Sequence, residues 1–262
     1  MRVALAMELG GIDSLELGDQ PDPAPAAGQA LIKVHGAGIG PWDVGFLSGG
    51  FPGLALPFVP GQEIAGVVEA AGDGAGVHPG ERVYASLFPA GGGFAELALA
   101  PTDRVAPMPA KVSFTEAAGL VIAGGTAHKG LVDLGRLQAG ETVLITAASG
   151  GVGSLAVQIA AAAGARPLGV ASPANHDYLR GLGASEVFDY HAADWVQQVR
   201  AAIPAVSTCC SMPPAARPAT RPSPRSVTAA GRSSQSCRVL LPPSWSAASP
   251  ANRSPPTSPG SG

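Results

Sequence analysis

The stretch "ETVLITAASGGVGSLAVQIAAAAGA", residues 141–165, decides the fold of this chain. It opens with a short apolar run that is typical of a buried strand, continues through a glycine-rich turn, and ends in an alanine-rich segment long enough for a helix. Gly150, Gly151 and Gly153 let the backbone turn tightly and approach a ligand closely. The helix that begins near Val152 points its unpaired N–H groups and its positive dipole end at the turn. We therefore expect the turn to bind a pyrophosphate.

The segments around this turn predict a parallel sheet. Ser113 with Glu116 forms a capping box that starts a helical region. After the turn, strand patterns alternate with helix patterns, in the order "RPLGVAS" (166–172), "NHDYLRGLGA" (175–184), "EVFDY" (186–190) and "DWVQQVRAAI" (194–203). This alternation is typical of right-handed βαβ crossovers. A glycine-rich turn that binds nothing does not require that context, so we predict a dinucleotide-binding domain over residues 113–204.

Residues 1–112 have a different pattern of apolar residues. Short apolar or alternating runs are separated by Gly, Pro and Asp, which predicts a compact, partly closed β domain. These runs are "ALIKVHGAGI" (30–39), "EIAGVVEAAG" (63–72), "ERVYASLF" (81–88) and "FAELALA" (94–100). The chain is therefore predicted to be α/β, with a β domain followed by a doubly wound parallel sheet.

The end of the second predicted strand bears on the choice of cofactor. An NAD-binding strand usually ends in Asp or Glu, which holds the ribose 2′-OH. Here the strand ends at Ser172 without an acid, and His176 and Arg180 follow. A 2′-phosphate would meet a hydroxyl and cations there, which favours NADPH. In the alternative interpretation, Ser172 caps the next helix and His176 is a surface residue; both interpretations can hold together.

Composition narrows the classes of partner. Hydrophobic residues make up 46% of the 262 residues and charged residues 13%, and the formal net charge is −3. These values favour neither a nucleic-acid nor a membrane partner. The N-terminus has no long apolar region of a signal peptide, so we expect a cytoplasmic protein.

Several segments resemble the medium-chain dehydrogenase/reductase superfamily, and within it the zinc-independent quinone oxidoreductases (zeta-crystallin-like) and the enoyl reductases of polyketide synthases. They occur in the family's order: "VHGAGIGPWDV", "PFVPGQEIAGVVEAAGDGAGVHPGERV", "GGFAELALAP", "AGGTAHKGLVDLGRLQAGETVLITAASGGVG" and "LRGLGASEVFDY". The resemblance implies a GroES-like domain over residues 1–112 and a Rossmann domain over 113–204.

The resemblance also implies roles for individual residues. Thr126 would contact the nicotinamide carboxamide. The pyrophosphate would be wrapped by residues 149–153, which are Ser149, Gly150, Gly151, Val152 and Gly153. Ser172, His176 and Tyr190 would surround the 2′-phosphate and the adenine end. Intact relatives often form homodimers through their Rossmann sheets.

The same resemblance predicts that no zinc is bound. Zinc-dependent relatives take ligands from a Cys and a His at positions that correspond to Gly40 and Gln62. Residues 1–204 contain no Cys, so the four-cysteine structural lobe is missing as well. Glycine and a neutral amide do not replace a thiolate and an imidazole, and Glu63 alone does not make a site.

Without zinc, the reaction that the resemblance implies is hydride transfer to an acceptor that needs no metal. Such an acceptor is a quinone or a carbonyl-conjugated double bond. Trp42, Asp43, Phe46 and Phe51 are candidates for the substrate pocket, although each aromatic residue could equally be a core residue. Relatives often have Tyr where this chain has Phe51. The proton donor for enone reduction stays open between Asp43, Tyr84 and solvent.

The chain changes character after Pro204. All 19 acidic residues precede residue 205, whereas residues 205–262 hold six Arg, all three Cys and many Pro and Ser. This composition predicts disorder, and the segment lacks the further strands that a Rossmann domain needs. A sheet that stops after its third strand would be poorly stable and would bind NADPH weakly or not at all. A non-catalytic or decayed NADPH-binding protein is therefore the alternative function.

The tail has two possible origins, a natural Pro/Ser-rich appendage and a frameshift. In G/C-rich codons, one added C at Pro204 converts the following codons to Pro-Gly-Gly-Val-Asp-Val-Leu-Leu-Asp-Ala-Ala-Gly. That reading contains an apolar strand and a turn typical of the family. It favours a frameshift, because an appendage should follow a finished domain.

Resequencing the gene across the codons for residues 198–215 checks this prediction. We expect one C more than the present reading implies, which would replace the tail by family-like strands and helices. An unchanged base sequence would contradict the frameshift and leave the appendage.

Overall fold

A computed structural model describes residues 1–51 and 54–203, together with the backbone of residues 208–210. Its strands are β1 (Arg2–Ala6), β2 (Leu15–Asp19), β3 (Gln29–Gly38), β4 (Glu63–Ala71), β5 (Arg82–Ser86), β6 (Leu97–Pro101), β7 (Val105–Pro107), β8 (Thr142–Ile145), β9 (Arg166–Ala171), β10 (Glu186–Asp189) and β11 (Thr208–Cys210). Its α-helices are α1 (Pro41–Leu47), α2 (Phe114–Ala118), α3 (Val121–His128), α4 (Gly151–Ala162), α5 (His176–Gly181) and α6 (Trp195–Ala202).

The first of two compact units, Met1–His128, is built on an antiparallel sheet. Its strand order is β6-β3-β4-β5-β7, and β1 pairs with β2 in a separate hairpin. Alternate residues of the central strands point into one core, where Ile32, Ile64 and Val83 are almost fully buried. This alternation is the reason that the short apolar runs form a β domain, as the sequence predicts.

Helix α2 covers part of this sheet and begins where the sequence predicts. The Ser113 hydroxyl accepts a hydrogen bond from the Glu116 amide at 3.2 Å, and the Glu116 carboxylate accepts one from the Ser113 amide at 2.8 Å. The predicted capping box is therefore confirmed. Helices α2 and α3 both contact strands of the first unit. The division at residue 112 remains a prediction, since the compact units meet at His128 and Lys129.

The second unit, from Lys129 onward, is a parallel sheet with strand order β10-β9-β8-β11. The three strands predicted from the sequence pair in parallel as expected. Leu168, Phe188 and Val199 form a buried cluster that attaches α6 to the sheet. The Arg166 guanidinium links β9 to its neighbours, since it pairs with Glu186 and donates to the Ala202 carbonyl at 2.9 Å.

Strand β11 is a correction to the sequence analysis, which expects no strand after Tyr190. The backbone of residues 208–210 pairs in parallel with β8, so that β8 has a partner on both edges. Backbone pairing does not depend on side-chain hydrophobicity, which is the reason that composition failed to indicate this strand. The remainder of the predicted disordered or frameshifted tail lies outside the described residues.

No helix within the described ranges combines the length and the hydropathy needed to cross a membrane.

Two glycines of α4 make a matched pair for a stability test. A Cβ on Gly153 would lie 2.3 Å from the Ala147 carbonyl oxygen and 2.8 Å from the Ala148 Cα, whereas a Cβ on Gly151 would meet nothing within 4 Å. We expect Gly153→Ala to lower the free energy of unfolding by about 1–3 kcal/mol, because backbone atoms must shift. Gly151→Ala should leave it unchanged or raise it by up to about 1 kcal/mol through helix propensity. Urea unfolding followed by circular dichroism measures both; equal effects would contradict the packing argument.

Candidate functional site

The glycine-rich turn joins β8 to the N-terminus of α4. Gly150 is the N-cap residue, and its amide donates to the Ala147 carbonyl at 3.0 Å. Ala147 has a φ of 50°, the left-handed conformation that reverses the chain after the strand. The buried Gly153 brings the helix against the turn, while Gly151 faces open space. A 12-residue helix thus begins at this turn, and its first amides, which have no partner within the helix, form an N-terminus of the kind that binds anions.

The carboxyl end of β9 lies next to this turn. The Ala148 amide donates to the Val170 carbonyl at 3.1 Å. Ser172 follows β9 and occupies the N-cap position of a short 3₁₀ turn, yet its side chain makes no capping hydrogen bond. Its hydroxyl instead accepts from the Asn175 amide at 3.1 Å, and the same amide group donates to the Ser149 hydroxyl at 3.2 Å. The structure therefore brings Ser149 and Ser172 together through Asn175, a residue that the sequence analysis did not single out.

His176 is half-buried at the start of α5. Its Nε2 lies 3.3 Å from the Ala171 carbonyl oxygen. A carbonyl oxygen only accepts hydrogen bonds, so Nε2 carries the hydrogen in this contact. His176 is thus attached to the end of β9 rather than extended into solvent.

Tyr190 lies beyond the end of β10 and is 51% exposed. Its ring contacts the His191 imidazole, with 4.1 Å between ring centroids. The Asp189 carboxylate accepts hydrogen bonds from the His191 amide at 2.9 Å and from its Nδ1 at 2.8 Å. These hydrogen bonds lower the pKa of Asp189, and the one from the His191 amide has the largest effect. Asp189 pairs in register with Ala171, so an acid lies at this sheet edge, one strand away from the usual position.

Thr126, the residue expected to contact the nicotinamide, lies on α3 of the first unit and is exposed. It therefore belongs to a different compact unit from the turn residues. Its role stays a prediction.

The first unit buries three polar side chains, two of them adjacent in the sequence. Asp43, Gln62 and Glu63 are each no more than 2% exposed. The Asp43 carboxylate accepts from the Gly40 amide at 2.8 Å, and the Glu63 carboxylate accepts from the Ile122 amide at 2.7 Å. Within the described residues, the other Asp43 oxygen, the Gln62 amide oxygen and the Trp42 Nε1 are buried without a hydrogen-bond partner.

Burial raises the pKa of both acids in this group. For Asp43, hydrogen bonds from backbone amides, the Gly40 amide first, offset part of the effect on its pKa. For Glu63, the Ile122 amide offsets part of the rise in pKa, and the charge of Asp43 adds to it. Each carboxyl therefore holds its proton to a higher pH than an exposed acid does.

The predicted pocket aromatics form a small stack. The Phe46 and Phe51 rings are parallel, with 3.9 Å between centroids, and Phe88 contacts both edge-on. Phe46 is 2% exposed and belongs to the core, whereas Phe51 is 36% exposed. Phe88 was missed from the sequence. Tyr84 packs against a separate apolar cluster around Ala65, where its half-buried ring serves as a packing residue.

Comparison with known proteins identifies both parts of the chain. Residues 26–110 match the alcohol dehydrogenase GroES-like domain, and residues 151–234 match the zinc-binding dehydrogenase family. The mouse quinone oxidoreductase is 37% identical over 78% of this chain and 62% of its own length, and the human quinone oxidoreductase is 38% identical over 76% and 62%. The chain thus spans just over three fifths of these curated relatives.

Solved structures agree with this comparison. The quinone oxidoreductase of Coxiella burnetii has a TM-score of 0.71 and 32% identity, covering 81% of this chain and 68% of its own. A mycobacterial quinone oxidoreductase has a TM-score of 0.71 and 30% identity, with coverages of 82% and 77%. A mycobacterial protein complexed with NADPH has a TM-score of 0.68 and 30% identity, with coverages of 82% and 76%. The predicted fold class, a GroES-like domain with a Rossmann-type sheet, is confirmed.

The residues of this chain do not fit zinc. Gly40 offers no side chain, and the buried Gln62 offers a neutral amide. Asp43 and Glu63 supply oxygen only, and each carboxylate already accepts from a backbone amide. Among the residues that the structure describes, no group of three His, Cys, Asp or Glu side chains could hold a metal ion. Zinc favours imidazole and thiolate ligands, so the prediction of a zinc-independent chain follows from these residue types.

The buried Asp43 predicts a particular dependence of stability on pH. Because folding raises its pKa, the folded chain binds more protons than the unfolded chain above about pH 4, and the free energy of unfolding falls as pH rises through the raised pKa. In Asp43→Asn this contribution is lost, so we expect a shallower fall, by at most about 1.4 kcal/mol per pH unit. Glu63 leaves a residual slope in the variant.

Urea unfolding between pH 4.5 and 7.5 measures the slope. Asp177→Asn is the control, because the Asp177 side chain is 99% exposed and its removal should leave the slope unchanged. Identical slopes for the wild-type chain and Asp43→Asn would contradict the assigned role of burial.

Proposed function

Because the chain belongs to the zeta-crystallin-like quinone oxidoreductases of the medium-chain dehydrogenase/reductase superfamily, we propose that it is an NADPH-dependent, zinc-independent oxidoreductase that reduces a quinone or an α,β-unsaturated carbonyl compound. The observation that carries the proposal is the turn between β8 and α4. A 12-residue helix begins there, a Cβ on Gly151 would meet open space, and Gly153 is tightly packed.

The position of this turn in the sheet supports dinucleotide binding. Strand β8 pairs with β9 on one edge and with β11 on the other. The chain leaves β8 for β9 on one side and reaches β11 only after β10, so β8 and β11 flank the point where the strand order reverses. In open parallel sheets, ligands bind at the carboxyl ends of the strands at such a point. The amides that open α4 lie there, where a pyrophosphate would receive hydrogen bonds and favourable charge.

The end of β9 supports NADPH in preference to NADH. No acid follows Ala171, and Ser172, Asn175 and His176 supply a hydroxyl, an amide and an imidazole. The acid of the neighbouring strand, Asp189, is engaged by His191. A relative of similar fold is complexed with NADPH, which agrees with this preference. Tyr190, exposed beyond β10, is the candidate for contact with the adenine end.

The proposed reaction follows from the residue types available. When bound, NADPH supplies the hydride, and a proton from solvent or a side chain completes reduction of the acceptor. Because Gly40 and Gln62 cannot hold zinc, an acceptor that requires metal polarisation of a carbonyl or an alcohol is unsuitable. Quinones and conjugated enones accept a hydride without a metal. Trp42, Asp43 and Phe51 remain candidates for contact with the acceptor.

The test measures NADPH binding and NADPH oxidation by the full chain. Because β11 gives β8 a second partner, in contrast to the three-stranded sheet on which the expectation of weak binding rests, we expect saturable binding, observed by the change in nicotinamide fluorescence. We also expect oxidation that depends on an added quinone such as 1,4-naphthoquinone. EDTA should leave the rate unchanged. Gly151→Ala should weaken NADPH binding by about tenfold, because its methyl group enters the space left for the phosphates, which corresponds to about 1.4 kcal/mol.

The outcomes separate the alternatives. Failure of the wild-type chain to bind NADPH, while circular dichroism shows it folded, would contradict the proposal. Binding without oxidation across a panel of quinones and enones would favour the non-catalytic NADPH-binding alternative. Unchanged affinity in Gly151→Ala would show that the turn is not the phosphate site.

A further inference from the structure

We infer that Asn175 is a specificity-determining residue for the cofactor, because its side-chain amide, which also contacts the Ser149 hydroxyl of the pyrophosphate turn, orients the Ser172 hydroxyl as a donor toward the 2′-phosphate. The inference rests on the proposed NADPH function and adds to it a residue that makes the choice between NADPH and NADH. Asn175 is a positioning residue, acting through the two serines.

The geometry connects two separate parts of the site. Ser149 belongs to the turn that follows β8, and Ser172 lies at the end of β9. Asn175 Nδ2 is 3.2 Å from the Ser149 hydroxyl and 3.1 Å from the Ser172 hydroxyl. The Asn175 backbone amide also donates to the Ser172 carbonyl at 3.0 Å, which holds the residue in a tight turn. One half-buried side chain therefore spans the phosphate turn and the ribose end of the strand.

The hydrogen-bond chemistry follows from the inventory of each group. An amide nitrogen carries two hydrogens and no acceptor, so one hydrogen serves each serine. Each serine oxygen accepts from Asn175 and must direct its own hydrogen elsewhere. A hydroxyl set in this way is a donor to a ligand. A phosphate oxygen only accepts, whereas a ribose hydroxyl both donates and accepts, so a pair of preset donors favours phosphate.

The local charges act in the same direction. The two serines are neutral, so no fixed carboxylate on β9 or its following turn repels a 2′-phosphate. The closest acid by register, Asp189 opposite Ala171, is hydrogen-bonded to His191. Arg180 and Asp177 on α5 pair with each other at 2.7 Å, and neither they nor His176 are changed in the variants below. A change in discrimination on substitution of Asn175 is thus assigned to the donor direction that Asn175 imposes.

Asn175→Asp is the decisive variant. An aspartate has the same shape but only acceptors, so the serine hydroxyls turn toward it and no longer donate to the ligand, and a negative charge is added. We expect the NADPH dissociation constant to rise at least about tenfold. The NADH constant should rise by a smaller factor, because Ser149 and the added charge lie beside the pyrophosphate that both cofactors carry, whereas Ser172 serves only the 2′-phosphate. The ratio of the two affinities therefore shifts toward NADH. Competition by 2′,5′-ADP and by 5′-AMP should show the same split, because only the former carries the 2′-phosphate.

Two further variants keep the inference falsifiable. Gln197→Glu adds the same charge at an exposed position on α6 and should leave the affinity ratio unchanged. Asn175→Ala removes the bridge without adding charge and should lower the preference for NADPH by a smaller factor. Equal losses of NADPH and NADH affinity in Asn175→Asp would show a merely structural role and overturn the inference. Absence of NADPH binding in the wild-type chain would instead contradict the proposed function.

Discussion

The close approach of α4 to the end of β8 is the contact on which the site depends. Gly153 lies so near Ala147 and Ala148 that a single methyl group would overlap the backbone. This approach sets the distance between the helix N-terminus and the sheet. If the helix began farther away, its N-terminus would not lie beside the end of β9, which holds the residues proposed to bind the ribose end of the cofactor. The positive φ of Ala147 serves the same contact, since it turns the chain sharply enough for the helix to return.

The first unit buries neutral and acidic polar groups at and near the positions where the family resemblance places the zinc ligands of other members. Gln62 and Glu63 stay buried, and Asp43 caps α1 through the Gly40 amide. A buried carboxylate without a cation is costly, which is why burial raises the pKa of both acids, and hydrogen bonds from backbone amides offset part of that rise. The unit therefore needs neither a thiolate nor an imidazole to remain folded.

The residues that sequence could predict are those whose role is local. The glycine turn and the Ser113 capping box follow from backbone geometry within a few positions, and both were predicted correctly in kind. Contacts between residues that are distant in the sequence were not predicted. Asn175 reaches Ser149 only because β8 and β9 are adjacent, and Phe88 reaches Phe46 across the first unit. Neither contact has a signature along the chain, since an isolated Asn before a helix usually indicates a cap.

Strand β11 shows that composition does not exclude a strand, because the sheet has a fourth strand in a segment whose composition predicts disorder. Parallel pairing with β8 uses backbone groups alone, so a segment read as Thr-Cys-Cys can occupy the position. With one added C the same region reads Val-Asp-Val-Leu-Leu, which supplies apolar side chains for the same strand. The pairing with β8 is observed for the present reading, and the reading with one added C remains a prediction that would place more apolar residues at the same positions. Because a parallel strand is normally covered on both faces, such residues would stabilise this side of the proposed phosphate site more than backbone pairing alone.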